Sequence, residues 1–316
     1  MSGALQVGSG PPWMHPIRLV APLVSRLRLP SSRVLCTTSS ANLIQRIELS
    51  PGVVEVRLCA PRGNTFNLEM IELFTQTIHE LESDVATQGV VLTSGVPHVF
   101  CAGLDLTIFL RPEPDALRHY WASFETMWKA WYTTPLCTAA AIGGACPALG
   151  AVLALSADYR VMREDARSTI GLNETELAMV PPIWLQAVLG RTLGERESER
   201  HLQCATKLAP RDAKAVGFVD ATVPEATSDA TLVEAGAEAL LPFLKIPFAA
   251  RAQTKMNQRV ATASLANPES VEVMAKCILG NDFQNTVAAI LKGLKERSAA
   301  KKAKAAAAAA AEALSK

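Results

Sequence analysis

The sequence has few features of a disordered, disulfide-built, zinc-binding or polyanion-binding protein. Only 19% of its 316 residues are charged, and 31 lysines and arginines nearly balance 30 aspartates and glutamates. No global field therefore draws the chain to nucleic acid or to an anionic membrane surface. Aromatic residues make up only 5%, yet 49% of the chain is hydrophobic, enough for one large core or two modest ones, which excludes disorder for the bulk. The seven cysteines (Cys36, Cys59, Cys101, Cys137, Cys146, Cys204 and Cys277) form no C-x-x-C pair and have no H-x-x-x-H partner. They read as small buried hydrophobes of a reducing compartment, with neither a disulfide framework nor a metal site expected.

Acidic residues are missing altogether up to Ile47, where the chain carries Arg18, Arg26, Arg28, Arg33 and Arg46, no lysine, and many serines and threonines. With Leu19, Val20, Leu23, Val24 and Leu27 interleaved among the arginines, this bias is that of a mitochondrial presequence. Residues 1–40 are accordingly expected to be a targeting segment and the protein to work in the mitochondrial matrix; the other reading is an untargeted tail. Charge is also absent from residues 130–157, long enough to raise a membrane span. Gly143, Gly144, Pro147 and Gly150 interrupt that run, so it predicts a core strand, a tight glycine turn and a buried helix whose glycines let backbone approach closely.

What is present is a regular alternation. Residues 47–58 alternate around Pro51-Gly52 as a β-hairpin does. Met70, Ile71, Phe74, Ile78 and Leu81 mark a helix over 68–81, followed by a short buried strand at 89–93. Helices are then expected at 120–131 and 148–157, with strands at 136–142 and 159–162. Repeated ββα units with apolar strands imply an α/β fold with a parallel-rich sheet, here over residues 41–241. After Pro242 the pattern is helical (246–261, 268–279, 281–296), giving a C-terminal helical subdomain over 242–297. Residues 298–316 are alanine and lysine, helical by propensity but without an apolar stripe, and are expected to fray.

Three segments carry chemistry: Phe100-Cys-Ala-Gly-Leu-Asp-Leu106, Gly143-Gly-Ala-Cys-Pro-Ala-Leu-Gly-Ala-Val-Leu153 and Ile170-Gly-Leu-Asn-Glu-Thr-Glu176. In order and spacing they resemble the crotonase (enoyl-CoA hydratase/isomerase) superfamily, and within it the double-bond isomerases. The resemblance covers residues 43–294. It implies a crotonase-like spiral of ββα units, a coenzyme A thioester as substrate with no further cofactor and no metal, and a homotrimer. The implied reaction moves the double bond of a 3-enoyl-CoA to the 2-trans position, a step in β-oxidation of unsaturated fatty acids.

The residues themselves follow that logic. Gly103 is either an ordinary turn glycine or one that allows a turn aiming the Leu104 N–H into a cavity; the helix start at 147–150 offers a second free N–H, which the resemblance places at Leu149. Two such donors on one thioester oxygen stabilise an enolate. Cys101, Ala102, Gly103, Leu106 and Gly150 are the expected substrate-binding positions around them. Glu174, among Ile170, Leu172 and Leu177, is expected to have a raised pKa suited to a base that takes a proton and returns it; the bland alternative is a helix-start carboxylate capped by Asn173. Glu176 is assigned to solvent or a salt bridge. Val152 stands where the family's hydratases carry a second glutamate, which leaves double-bond migration and removes water addition. Leu149 replaces a glycine, and a strained or crowding leucine there would instead suggest a catalytically silent acyl-CoA-binding or assembly protein. A hydratase or a dienoyl-CoA isomerase is the other alternative.

Further candidates are given structural roles. Asp105 is expected to fix its loop by accepting backbone hydrogen bonds. Cys101 and Cys146 have no histidine nearby in sequence, while His98 and His119 read as exposed loop residues. Trp121, Trp128 and Trp131 read as core or acyl-pocket wall. Lys255 is either a contact for the coenzyme's phosphate or a solvated helix lysine.

Overall fold

The computed structural model describes residues 43–314, with side chains through residue 300. The presequence-like segment 1–40 lies outside the described residues. In chain order the strands are β1 (Ile44–Ser50), β2 (Val53–Leu58), β3 (Thr65–Phe66), β4 (Gly89–Ser94), β5 (Gly103–Leu104), β6 (Cys137–Ile142), β7 (Cys146–Pro147), β8 (Tyr159–Arg163), β9 (Ile170–Gly171) and β10 (Ala221–Val223). The helices are α1 (Pro61–Asn64, a single turn), α2 (Leu68–Ser83), α3 (Pro114–Thr133), α4 (Leu149–Ser156), α5 (Ile183–Leu193), α6 (Glu195–Gln203), α7 (Pro210–Ala215), α8 (Asp229–Leu244), α9 (Phe248–Ala263), α10 (Pro268–Leu279) and α11 (Asn281–Leu314).

Six strands form one sheet in the order β1-β2-β4-β6-β8-β10, antiparallel only between β1 and β2. The short strands pair separately, β3 with β5 and β7 with β9, both parallel. Each unit thus runs long strand, short strand, helix: β2-β3-α2, β4-β5-α3, β6-β7-α4 and β8-β9-α5. This is the ββα repeat that the sequence implies. The uncharged run 130–157 is the end of α3, β6, a glycine turn, β7 and α4, and among the described residues no helix is long and apolar enough to cross a membrane.

Apolar side chains cover both faces of the sheet, which is why β6 is buried along its whole length and β4 along all but Ser94. One face carries α8, whose Leu232, Val233 and Leu240 pack on Val91, Ala139 and Ala141. The other carries the main core. There α2 presents Met70, Ile71, Phe74, Ile78 and Leu81, and the Asn67 side chain caps it by accepting the Met70 N–H at 2.9 Å. Helix α3 begins six residues before the predicted start because Glu113 accepts the N–H groups of Asp115 and Ala116, both at 2.9 Å, and Pro114 suits the first turn. His119 consequently sits on an exposed helix face and not in a loop.

The C-terminal helices α9, α10 and α11 lie where the apolar pattern puts them, with two differences. Helix α8 continues through Pro242 to Leu244, so the chain leaves it at 245–247 and not at 242. Helix α11 is unbroken to Leu314, so the alanine-rich segment expected to fray is helical that far, as alanine's propensity favours.

Lys255 is not a solvated lysine, and its ammonium is engaged within the protein. Its Nζ lies 2.8 Å from Asp158 Oδ2 and donates to the Leu136 carbonyl, with 8% of the side chain exposed. Arg259, one helical turn on, donates to Asp158 Oδ1 at 2.7 Å and to the carbonyls of Tyr132 and Ser156. Asp158 also accepts the Thr138 N–H at 2.9 Å, so one buried carboxylate ties α9 to the start of β6. The two cations hold the Asp158 carboxyl below its ordinary value against the effect of burial, while burial pushes Lys255 down to about 8. Removing one member of such a cluster leaves the others buried and unpaired. Asp158→Asn is therefore expected to lower the unfolding free energy by about 3–5 kcal/mol in a urea titration. Glu80→Gln, which breaks the exposed pair with Arg46, should cost less than about 1 kcal/mol in the same measurement.

Candidate active site

The loops that leave the carboxyl ends of β2, β4, β6 and β8 meet on one side of the sheet, where ligands of parallel sheets are commonly held. Backbone pairs stitch them together. Phe100 N–H donates to the Ala145 carbonyl and Ala145 N–H to the His98 carbonyl, both at 2.9 Å. That seam needs glycine at 144, because a Cβ there would fall 2.0 Å from the His98 carbonyl carbon. Gly150 is similarly required: its Cβ would fall 2.6 Å from the Cys101 carbonyl oxygen. On the far side, Cys146 N–H reaches Thr169 O at 2.8 Å and Ala148 N–H reaches Gly171 O at 2.9 Å. Buried Asn64 braces the near side, its amide donating to Phe100 O at 2.9 Å and Ser94 Oγ at 2.8 Å.

These loops enclose a cavity of about 390 Å³ lined by both glycine turns and by Glu174. Gly103, at φ +117°, takes a conformation L side chains rarely adopt and lies opposite the Ala148 side chain. In the strand that follows, Asp105 N–H donates to Phe66 O at 3.0 Å, so alternation turns the Leu104 N–H away from that ladder. Leu149 is the first residue of α4, where an N–H has no partner within the helix. The left-handed residue is Ala148, at φ 48°, and not Leu149. The backbone strain expected at Leu149 falls instead one residue earlier, and the Leu149 side chain is one of the cavity walls.

Glu174 opens a 3-10 turn, Glu174–Leu177, fixed by Met179 N–H to Glu174 O at 3.0 Å and by Thr175 Oγ1 to Leu202 O at 2.8 Å. The residue is 8% exposed and its Oε2 has no hydrogen-bond partner. Burial pushes its carboxyl up to about 7, with its own backbone N–H opposing only in part. Asn173 does not cap the turn; its Oδ1 is likewise buried without a partner, and the residue lines the same cavity. Glu176 makes the salt bridge expected of it, to Lys207 at 2.7 Å, and also lines the cavity.

Of the expected binding positions, Ala102, Gly103 and Leu106 line the cavity together with Leu104 and Leu149. Cys101 and Gly150 do not; they pack behind the lining, where the Cys101 thiol donates to Asn64 O at 3.2 Å. Burial pushes that thiol up to about 12 and raises Cys146 well above its ordinary value, so neither is a ready nucleophile. Val152 lies on the wall one turn into α4. Asp105 accepts the N–H and hydroxyl of Thr107, at 3.0 and 2.7 Å, and so fixes its loop as expected. His98 is exposed and 3.2 Å from Asp165.

Trp121 is cavity wall, whereas Trp128 and Trp131 are core, their indole N–H groups donating to Ser156 Oγ at 3.0 Å and Leu153 O at 2.9 Å. Sequence reasoning missed the rest of the apolar wall, chiefly Phe124, Met179, Trp184, Leu185 and Ile290. A larger groove of about 760 Å³ between α2 and α3 has only helix-surface side chains and neither glycine turn. Among the described residues no group of three or more His, Cys, Asp and Glu is placed to hold a metal ion.

Comparison with known proteins agrees with this geometry. A family model described as enoyl-CoA hydratase/isomerase matches residues 48–294. Enoyl-CoA delta isomerase 1, mitochondrial, of Homo sapiens is 36% identical over 259 residues, covering 80% of this chain and 84% of that protein. The Mus musculus protein of the same name is 40% identical over 213 residues, covering 67% and 72%. The crystal structure of human mitochondrial delta3-delta2-enoyl-CoA isomerase superposes with a TM-score of 0.75 at 34% identity, covering 84% of this chain and 99% of that one. With the family's fold, its ordered sequence blocks and most of its length all present, the chain belongs to the enoyl-CoA hydratase/isomerase family.

Proposed function

We propose that the protein is an enoyl-CoA isomerase that converts 3-enoyl-CoA to 2-trans-enoyl-CoA, with Glu174 as the single proton carrier. The observation that carries this reading is one buried carboxylate, its Oε2 without a partner, lining the same cavity as two glycine-shaped turns, with valine at the position where the family's hydratases carry a second glutamate. Glu174 takes a proton from C2 of the thioester. The negative charge that develops on the thioester oxygen is met by the N–H groups of Leu104 and Leu149, each such donor being worth about 3–4 kcal/mol in other enzymes. The same carboxyl then returns the proton to C4, and the double bond moves from C3–C4 to C2–C3. Atoms and charge balance within the substrate and one side chain, so the proposal includes no metal and no redox cofactor.

A carboxylate kept near pH 7 by burial suits this exchange, since it must both accept and release a proton at working pH. Val152 disfavours a hydratase, because valine can neither orient nor deprotonate water. Leu149 itself has helical backbone, the positive φ falling on Ala148, and this supports an active enzyme over a silent acyl-CoA-binding protein. The arginine-rich, acid-free segment ahead of Ile47 and the mitochondrial relatives support action in the mitochondrial matrix, in β-oxidation of unsaturated fatty acids. A homotrimer completes the proposal, by family resemblance.

Purified protein mixed with 3-enoyl-CoA should produce the absorbance of the conjugated 2-enoyl thioester; its absence would decide for a silent binding protein. Glu174→Gln should lower kcat at least about a thousandfold while the CoA thioester still binds. In the wild type, kcat/KM should rise with pH and level off above about 7, where Glu174 is ionised. Stability has the opposite sign. Between the ordinary value of 4.5 and about 7 the folded protein retains a proton that the unfolded chain has lost, so wild type loses about 3 kcal/mol relative to Glu174→Gln across that window and nothing more above it. Wild type should also add water to 2-enoyl-CoA less than a hundredth as fast as it isomerises 3-enoyl-CoA. Comparable rates would overturn the role given to Val152.

A further inference from the structure

Behind the aromatic wall of the cavity lies a carboxylate that the proton transfer does not use. Glu125, on α3, is 2% exposed. Its Oε1 accepts the indole N–H of Trp121 at 3.1 Å and that of Trp184 at 3.0 Å. The Ser270 hydroxyl, in the first turn of α10, lies 2.8 Å from both carboxylate oxygens. One side chain thus joins α3, α5 and α10 at a point. Burial raises its carboxyl above the ordinary range, opposed by the hydrogen bonds from Ser270, Trp184 and Trp121. An apolar residue of similar volume would fill this site with less desolvation, so packing alone does not account for an acid here.

Both indoles line the cavity, and the N–H is the one polar group each possesses. Trp184 stacks on Trp128 with ring centroids 4.0 Å apart, and Phe124 bridges Trp121 and Trp184 at 5.2 and 5.8 Å. Rings packed in this way can still slide or turn about their side-chain bonds; two N–H groups held on a single oxygen cannot do so independently.

We propose that Glu125 is a positioning residue that sets the acyl chain length the cavity accepts, by fixing the indoles of Trp121 and Trp184 as a rigid apolar end wall. The inference rests on the acyl-CoA reading of the cavity and goes beyond it to a specificity determinant. It requires that affinity for saturated acyl-CoA rise with chain length, by roughly fourfold for each methylene buried, and then stop rising where the chain meets the wall.

The test is the dissociation constant of the purified full chain for saturated acyl-CoAs of four to sixteen carbons, which needs no turnover, with 3-enoyl-CoA isomerisation measured alongside. Wild type should show the plateau. Glu125→Leu orphans both indole N–H groups and should move the plateau at least two methylenes longer, a gain of at least tenfold in the long-to-short affinity ratio. Glu125→Gln, whose amide oxygen still accepts from the indoles and whose NH₂ can donate to Ser270, should restore the wild-type profile. If the leucine variant does not fold, Glu125→Asp, withdrawn by one methylene, should show the same lengthening. A plateau unmoved in the leucine or aspartate variant, or moved equally in the glutamine variant, overturns the proposal. Acyl-CoA binding with the expected plateaus but no isomerisation would overturn the isomerase reading alone, and failure of every acyl-CoA to bind would overturn both.

Discussion

Backbone touching backbone between the loops after β4 and β6 is the constraint on which the site depends. His98 and Phe100 pair with Ala145 across a gap that admits no side chain at Gly144, and the Cys101 carbonyl leaves no room for one at Gly150. These contacts bring the Gly103 turn to the start of α4, and they leave Leu104 and Leu149 on one cavity wall. Because the pairing is made by main chain, the geometry survives a wide choice of side chains, including the leucine at 149. The same seam buries Cys101 and Cys146, which lose any prospect of easy ionisation in the process.

Glu174 inherits its properties from this enclosure. A carboxylate with its Oε2 unpartnered is costly in a closed apolar site, and the cost appears as a proton held to higher pH. Two other acids withdrawn from solvent are treated differently. Asp158 is given two cations and two donors from Thr138, and stays ionised as a clamp. Glu125 is given indoles and a hydroxyl, with no cation in contact. Three buried carboxylates thus have three fates, set by the partners each is offered.

Much of this was legible in the amino-acid sequence. The alternation at 47–58, the helical spacing from Met70 to Leu81 and the uncharged run 130–157 located the first three ββα units, because period and burial are local signals. The three blocks marked Gly103, Leu149 and Glu174, and the absence of a second acid at 152 narrowed the chemistry. Helices α5 to α8 are not legible in this way: α5 and α6 are consecutive, separated only by Gly194, and their periodicity is read only once the partner surface is known.

Residue type at a given spacing was enough for the long strands and helices up to β8, the C-terminal helices, the candidate base and the glycines that permit close approach. Which of these residues share a wall depends on the folded chain. Cys101 and Gly150 are neighbours of lining residues yet pack behind them, Trp121 lines the cavity while Trp128 and Trp131 do not, and Lys255 is locked into an ion cluster instead of solvent. Spacing along the chain states which side of an element a residue occupies. What stands opposite that side is fixed by chain returning from a hundred or more residues away, as when Lys255 meets the Leu136 carbonyl and Ser270 meets Glu125, and no local pattern encodes it.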